Sequence, residues 1–264
     1  MTTNATTNAT TNAIERSREA EAFLDARQHT APEVVSACEG WTAHEVTAHL
    51  AGAAAEITRH LEPYLAGDPM PQTRTFEDRE PAFRALDDTT LAGRLEDEEQ
   101  QMRRAISQVL AVEPDAVIPW TGRQMAVAKF VPHMRNEFAI HRWDVVGDDD
   151  TSYRLLAQPE LTEHAVGVLG EILLRRGREH DPCPGEDFSV RLRAANTPDV
   201  RVSVDAGQAG LQLVDDPVDE PHVELDPAAR TLVIWGRRPD QRGRFRSHAT
   251  AAALSRLQAL LSGY

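Results

Sequence analysis

The spacing of apolar residues changes near residue 182 of this chain, from a helical period to a strand period. Up to about Arg176, apolar residues recur every three or four positions, which is typical of helices with one buried face. From Phe188 to Leu225 they occur in short alternating segments, which predict β-strands. The turn-forming residues DPCPGE, from Asp181 to Glu186, separate the two patterns. The sequence therefore predicts a helical domain over residues 14–182, followed by a small α+β domain over residues 183–264.

Helices account for most of the first predicted domain. The clearest one begins near Leu91, and the acidic run Glu96 to Glu99 within it is expected to form a solvated face. The predicted helices cover residues 14–28, 42–65, 91–110, a segment within 129–147, and 159–176. The predicted strands cover residues 188–193, 200–204, 211–214 and 223–225, and an amphipathic helix covers residues 249–261.

Segments rich in turn-forming or polar residues separate these elements. Residues 67–81 are expected to form a loop that could extend over a site, residues 114–122 to interrupt the chain, and residues 148–152 to form an acidic loop. Residues 1–13 contain three copies of TTNA, and such a polar tract cannot bury enough apolar surface to order itself. We expect a disordered tail there.

The charge balance limits the classes of partner. The chain has 42 acidic and 28 basic residues, giving a formal net charge of −14, which argues against nucleic acid or an anionic membrane surface as the main partner. It contains no apolar run of membrane-spanning length and no secretory signal pattern. We expect a cytoplasmic protein, a monomer or a homodimer. Cys38 and Cys183 form no disulfide framework and no metal-ligand spacing, and are expected to be reduced thiols with a structural role or none.

A carboxylate and an imidazole occupy core-facing positions of one predicted helix. In KFVPHMRNEFAIHRWDVVG, Glu137 and His141 are four residues apart and share the stripe of Phe130, Met134 and Val145. A buried carboxylate needs a cationic or hydrogen-bonding partner. The pair is consistent either with a divalent metal that binds both residues or with a structural Glu–His hydrogen bond.

A third inward-facing group comes from GWTAHEVTAHLAGAAAE. Thr42 and Glu45 form a capping-box pattern, so a helix should begin at about Thr42 and place His49 in the middle of its buried stripe. Ligands of type His, Glu and His on two helices suit a catalytic metal site with positions open for water or substrate. His44, His60 and His133 are expected to be surface or partly buried residues, and His133, four residues before Glu137, is the one that a metal role would suit.

Three segments carry a family resemblance. GWTAHEVTAHLAG, NEFAIHRWDVVG and TLVIWGR resemble the signatures of the mycothiol-dependent maleylpyruvate isomerase family. The resemblance implies a DinB-like helical, four-helix bundle followed by a small α+β domain of the sterol-carrier-protein type. It also implies a divalent metal, Zn²⁺ being most consistent with the donor set, bound by His49, Glu137 and His141, with mycothiol as the thiol cofactor.

The last of these signatures is followed by a basic run within an acidic chain. The run contains five arginines: Arg237, Arg238, Arg242, Arg244 and Arg246. Arg237 and Arg238 could pair with polar or anionic groups of a cofactor, and the resemblance implies that Arg237 assists thiol binding or catalysis. Solvated loop arginines are the alternative. Asp144 could orient a metal ligand, and a capping or ion-pair role is the alternative.

The predicted site suits activation of a thiol. A metal-coordinated thiol loses its proton and can add as a thiolate to a small electrophilic substrate. Rotation about the resulting single bond and elimination would make the enzyme an isomerase, whereas retention of the sulfur would make it an S-transferase. Two alternatives remain. One is a hydrolase that uses metal-bound hydroxide. The other is a non-catalytic binding or stress-response protein with a filled coordination sphere that includes, for instance, His133 or Glu56.

Overall fold

The computed structural model describes residues 14–216, 220–239 and 244–262. A helical N-terminal region is followed by a small sheet-containing domain, as predicted. The predicted tail and Arg242 lie outside the described residues. The helices are α1 (Arg18–Gln28), α2 (Ala43–Ala66), α3 (Phe76–Arg79), α4 (Pro81–Arg84), α5 (Asp88–Val112), α6 (Phe130–Val146), α7 (Asp150–Leu156), α8 (Pro159–His164), α9 (Gly170–Gly177), α10 (Pro227–Ile234) and α11 (Ala251–Leu260). The strands are β1 (Val117–Trp120), β2 (Arg123–Ala126), β3 (Phe188–Arg193), β4 (Asp199–Asp205), β5 (Gln208–Val214), β6 (His222–Leu225) and β7 (Phe245–Ser247).

Two compact units, each discontinuous in sequence, make up the chain. The first unit contains the segment before Arg18 together with Trp41–Val131, and the second contains Arg18–Gly40 together with Pro132–Tyr264. The chain therefore enters the second unit, leaves it and returns. The domain boundary predicted near residue 182 stays a prediction.

Helices α2 and α5 form the core of the first unit. Thr42 and Glu45 form the predicted capping box, so α2 begins where the sequence indicates. The predicted apolar stripes of both helices are buried. Three predictions for this unit need correction. The loop predicted over residues 67–81 ends early, because Phe76–Arg79 forms α3. Of the acidic run predicted to be solvated, Glu96 and Asp97 are exposed, whereas Glu98 and Glu99 are buried beside Arg94 and Arg103, each one turn away. His60 is fully buried, since its Nδ1 donates to the Glu56 carbonyl. Residues 114–122 do more than interrupt the chain, because β1 lies within them and pairs with β2 as a hairpin.

A five-stranded sheet in the order β5-β4-β3-β6-β7 forms the framework of the second unit. Neighbouring strands are antiparallel except β3 and β6, which are parallel. The core lies between one face of this sheet and the helices, and includes Val190, Leu192, Val223, Leu232 and Trp235. All four predicted strands are present.

Three local expectations for the second unit need correction. The acidic loop predicted over residues 148–152 ends early, because Asp149 caps α7 by accepting a hydrogen bond from the Ser152 amide. The single helix predicted over residues 159–176 is interrupted by a π-helical turn at Ala165–Leu169. Residues 227–234, for which no helix was predicted, form α10. Among the described residues, no helix is long and apolar enough to cross a membrane.

A buried ion pair joins α1 to α6 within the second unit. Glu19 accepts hydrogen bonds from Arg135 at 2.9 and 3.1 Å and from Gln158 at 2.7 Å. Burial alone would raise the pKa of Glu19, but these hydrogen bonds and the charge of Arg135 lower it below its usual value.

Glu19→Gln is therefore expected to lower the free energy of unfolding by about 1–3 kcal/mol at neutral pH. A lowered carboxyl pKa contributes stability above the pKa of the unfolded chain, and this contribution is lost as the pH falls through the native pKa. The difference from wild type should thus shrink below about pH 4. Urea unfolding at several pH values measures it. The exposed Glu21→Gln on the same helix should change stability by less than about 0.5 kcal/mol. A pH-independent difference would contradict the expectation.

Candidate metal and thiol site

His49, the first predicted metal ligand, lies on α2 in the first unit. Its Nδ1–H donates to Glu80 Oε1 at 2.6 Å, and Arg84 donates to the other oxygen of Glu80 at 2.9 Å. Both His49 and Glu80 are buried. Burial alone would raise the pKa of Glu80, but the hydrogen bond and charge of His49, together with Arg84 and Arg79, lower it. Glu80 is therefore ionised and holds His49 in the tautomer whose Nε2 can bind a metal.

The HLAG segment provides room for this carboxylate. A Cβ on Gly52, which lies one turn after His49, would stand 3.2 Å from Glu80 Cγ. Glycine in a helix interior costs about 1 kcal/mol relative to alanine, so its presence indicates a close approach. Sequence reasoning missed Glu80, because it lies in an aperiodic segment. Gly52 was the signal that could have indicated a neighbour at this point.

Glu137 and His141 lie on α6 within the second unit. Pro132 falls in the first turn of this helix, where proline is tolerated. His141 Nε2 is 3.5 Å from Glu137 Oε2, so the two predicted ligands are neighbours on one face. His133 Nε2 is 4.0 Å from the other oxygen of Glu137. His133 is buried.

Asp144 holds the other nitrogen of the His141 ring. His141 Nδ1–H donates to Asp144 Oδ2 at 2.9 Å, and Arg237 donates to both Asp144 oxygens at 3.0 and 2.7 Å. Burial alone would raise the pKa of Asp144, but His141 and Arg237 hold it well below its usual range. Burial likewise would lower the pKa of His141, yet hydrogen bonds with Asp144, Cys38 and Glu137 raise it well above its usual value.

A thiol joins this cluster. Cys38 Sγ accepts a hydrogen bond from Arg237 at 2.8 Å and lies 3.3 Å from Asp144 Oδ2. The ligand atoms of Cys38, His141 and Asp144 lie within 4.8 Å of one another. Sequence reasoning gave Cys38 a structural role or none, because its partners lie more than a hundred residues away in the chain.

The WGR segment packs against α6. Trp235 is buried and its Nε1–H donates to Asn136 Oδ1 at 3.2 Å. Gly236 has φ = 76°, a left-handed conformation that favours glycine. A Cβ there would stand 2.6 Å from the Leu261 carbonyl oxygen. The turn directs Arg237 to Asp144, so two of the sequence signatures meet within the second unit. Arg238 is exposed.

The donor groups suit a divalent metal. Histidines that bind metals usually donate their second ring N–H to a carboxylate, and His49 and His141 both do so. Glu56 accepts hydrogen bonds from Arg59 and Arg74 on both carboxylate oxygens, which disfavours it as a ligand. His49 belongs to the first unit, and Glu137 and His141 to the second. The three-residue ligand set stays a prediction.

Comparison with known structures defines the class of fold. The chain is similar to the crystal structure of the mycothiol-dependent maleylpyruvate isomerase, with a TM-score of 0.58, 16% sequence identity and coverage of 87% of this chain and 88% of that chain. It is also similar to the structure of a histidine-to-alanine mutant of that enzyme, with a TM-score of 0.57, 18% identity and coverage of 87% and 88%. No curated protein sequence matches the chain.

Residues 12–146 match the family described as mycothiol maleylpyruvate isomerase N-terminal domain. This match covers just over half of the chain and includes His49, Glu137 and His141. The chain therefore belongs to the mycothiol maleylpyruvate isomerase family, as the three signatures predicted.

Proposed function

We propose that this protein is a metal-dependent enzyme that uses mycothiol to isomerise a small electrophile or to transfer sulfur to it. His49, Glu137 and His141 would hold the metal, for which Zn²⁺ suits the donor set best. One observation carries the proposal: both histidines donate Nδ1–H to a buried, ionised carboxylate, Glu80 in one case and Asp144 in the other. The thiol and the substrate class come from the family and from the name of the similar enzyme.

The residues of this chain would prepare the ligands and keep them in place. A divalent metal supplies the acidity that turns a bound thiol into a thiolate at neutral pH. Asp144 and Glu80 fix the tautomers of His141 and His49, so that Nε2 is the ligand nitrogen in each ring. Arg237 keeps Asp144 ionised inside the protein. We therefore assign Arg237 a positioning role, and assign exposed Arg238 to polar contact with the thiol cofactor.

Thiol dependence separates this proposal from the alternatives. A hydrolase that uses metal-bound hydroxide should turn over without any added thiol. A non-catalytic protein should bind the metal without an exchangeable position. Glu56 forms ion pairs with Arg59 and Arg74, which weighs against Glu56 as the fourth ligand of such a filled coordination sphere.

Metal content and thiol binding test the proposal directly. Purified wild type should hold one metal per chain, Glu137→Ala should hold little, and mycothiol should bind the loaded wild type with release of a proton. Turnover of maleylpyruvate or related electrophiles should then require the thiol. Loaded wild type that neither binds mycothiol nor releases a proton would refute the thiol function, and wild type that takes up no metal after reloading would refute the metal site.

Glu80 is expected to set the metal affinity through His49. Glu80→Gln removes the charge but keeps an acceptor for His49 Nδ1–H, so metal affinity should fall about tenfold. Glu80→Ala removes both the charge and the acceptor, so metal affinity should fall by up to about 100-fold. Competition with a chromophoric chelator measures this. The exposed Glu77→Gln is the matched control and should match wild type. Equal affinity in all four proteins would show that Glu80 does not act on the metal.

A further inference from the structure

Two histidines and a glutamate lie on β6 or directly after β7, the last two strands of the sheet in the second unit. Strand β6 pairs antiparallel with β7, with Val223 opposite Ser247 and Glu224 opposite Arg246. The His248 amide donates to the His222 carbonyl at 2.8 Å, which places these two residues opposite each other. Side chains alternate along a strand, and Val223 and Leu225 face the core. His222, Glu224 and His248 therefore share the opposite face.

Their side chains converge. The two imidazole rings stack with centroids 4.4 Å apart and an interplanar angle of 20°. His248 Nε2 lies 3.5 Å from Glu224 Oε1. One ligand atom from each of the three residues lies within 4.8 Å of the other two. A small adjustment of the exposed Glu224 and His248 side chains would bring ligand atoms of all three residues onto one ion.

We propose that His222, Glu224 and His248 form a second site for a divalent transition metal. Two imidazole nitrogens and a carboxylate oxygen are a donor set that suits Zn²⁺, Ni²⁺ or Cu²⁺, and disfavours Mg²⁺ and Ca²⁺. His222 Nδ1–H donates to the Glu220 carbonyl at 3.1 Å, which fixes the tautomer whose Nε2 is the ligand. This inference does not rest on the proposed thiol chemistry.

The neighbouring cations do not prevent binding. Arg246 lies 4.0 Å from Glu224, but both side chains are exposed, and such pairs contribute little. Arg191, which is paired with His222 across β3 and β6, is neutralised by Asp216 and Glu220. A metal here would join the edge strand β7 to β6, and would stabilise the fold by preferential binding to the native state.

Zinc titration of the full-length protein after chelator treatment tests this site. Wild type is expected to bind one more Zn²⁺ than His248→Ala, or to bind it more than about tenfold more tightly. His180→Ala, an exposed histidine outside the cluster, should match wild type. Glu137→Ala should still bind Zn²⁺ at His222, Glu224 and His248. Loss of metal at the site that includes Glu137 can therefore be told apart from loss at this second site. Identical isotherms for wild type and His248→Ala would overturn the proposal.

The position of the metal can be checked with Cu²⁺, which broadens nearby NMR signals. Backbone amide signals of β6 and β7 should be lost at substoichiometric Cu²⁺ in Glu137→Ala, and should remain when His248→Ala is added. Because the His248 side chain is exposed, its substitution should not unfold the chain, and circular dichroism verifies that. Broadening that leaves β6 and β7 unaffected would refute the site.

Discussion

His141→Ala is expected to lower thiol-dependent turnover by more than about 100-fold and to reduce the metal content of the purified protein. The expectation follows from the proposed ligand role, because changing a residue that merely supports a ligand already costs about 10–100-fold. The substitution also removes the imidazole that lies beside the buried carboxylates of Glu137 and Asp144. Values of kcat/KM and metal analysis of the same preparations measure the two effects.

One further variant distinguishes the proposed ligand His141 from the residue that supports it, and a second variant is a control. Asp144→Asn keeps an acceptor for His141 Nδ1–H, and should lie between wild type and His141→Ala. His29→Ala, the control, removes an exposed histidine that directly follows α1, and should leave turnover and metal content unchanged. Full metal content and full turnover in His141→Ala would show that the Glu137–His141 pair is structural.

Arg237→Ala is expected to have the largest effect on stability, a loss of about 3–5 kcal/mol in the free energy of unfolding. Arg237 and Asp144 are both buried, and the substitution leaves a carboxylate inside the protein without its guanidinium. It also removes the hydrogen bond to Cys38 Sγ. Urea unfolding monitored by circular dichroism measures the loss.

The neighbouring Arg238→Ala is the matched control, since that side chain is exposed and should change stability by less than about 0.5 kcal/mol. Arg237→Met combined with Asp144→Leu should recover part of the loss, because the buried carboxylate is removed together with its guanidinium, and the rest of the loss reflects His141 Nδ1–H, which no longer has its acceptor. A loss below about 1 kcal/mol in Arg237→Ala would mean that the pair is more solvated than its burial indicates.

Periodicity made part of the fold predictable. The buried stripes of α2 and α6 and the four alternating segments that became β3 to β6 follow from residue spacing alone. Several elements were not predicted, and helix α10 and the β1–β2 hairpin were missed for different reasons. Helix α10 is short, although Asp226 before Pro227 is an N-cap signal. The turn of the β1–β2 hairpin consists of Thr121 and Gly122, which both have positive φ. The prolines and the glycine of residues 114–122 indicated only an interruption of the helical pattern, and not a hairpin.

The supporting residues of the site were harder to predict than the proposed ligands. His49, Glu137 and His141 stand out because polar groups interrupt apolar stripes. Glu80 and Cys38 lie outside periodic segments, so nothing in their spacing relates them to His49 or His141. Asp144 was recognised as a candidate support, but its pairing with Arg237 joins positions 93 residues apart. Contacts of that separation depend on the tertiary structure and not on local pattern.

The discontinuity of the two units has a consequence for how the chain folds during synthesis. Helix α1 needs partners such as Phe138 and Arg135, which emerge from the ribosome more than a hundred residues later. Contacts of such long sequence separation slow folding, because the chain loses the entropy of loop closure before these contacts can stabilise it. The N-terminal helix must wait, with its apolar face uncovered, until α6 has been made. A fragment that ends at Val146 would still lack Gln158, the five-stranded sheet and Arg237, which all belong to the second unit. The segment that matches the family model therefore does not contain the complete core of the second unit.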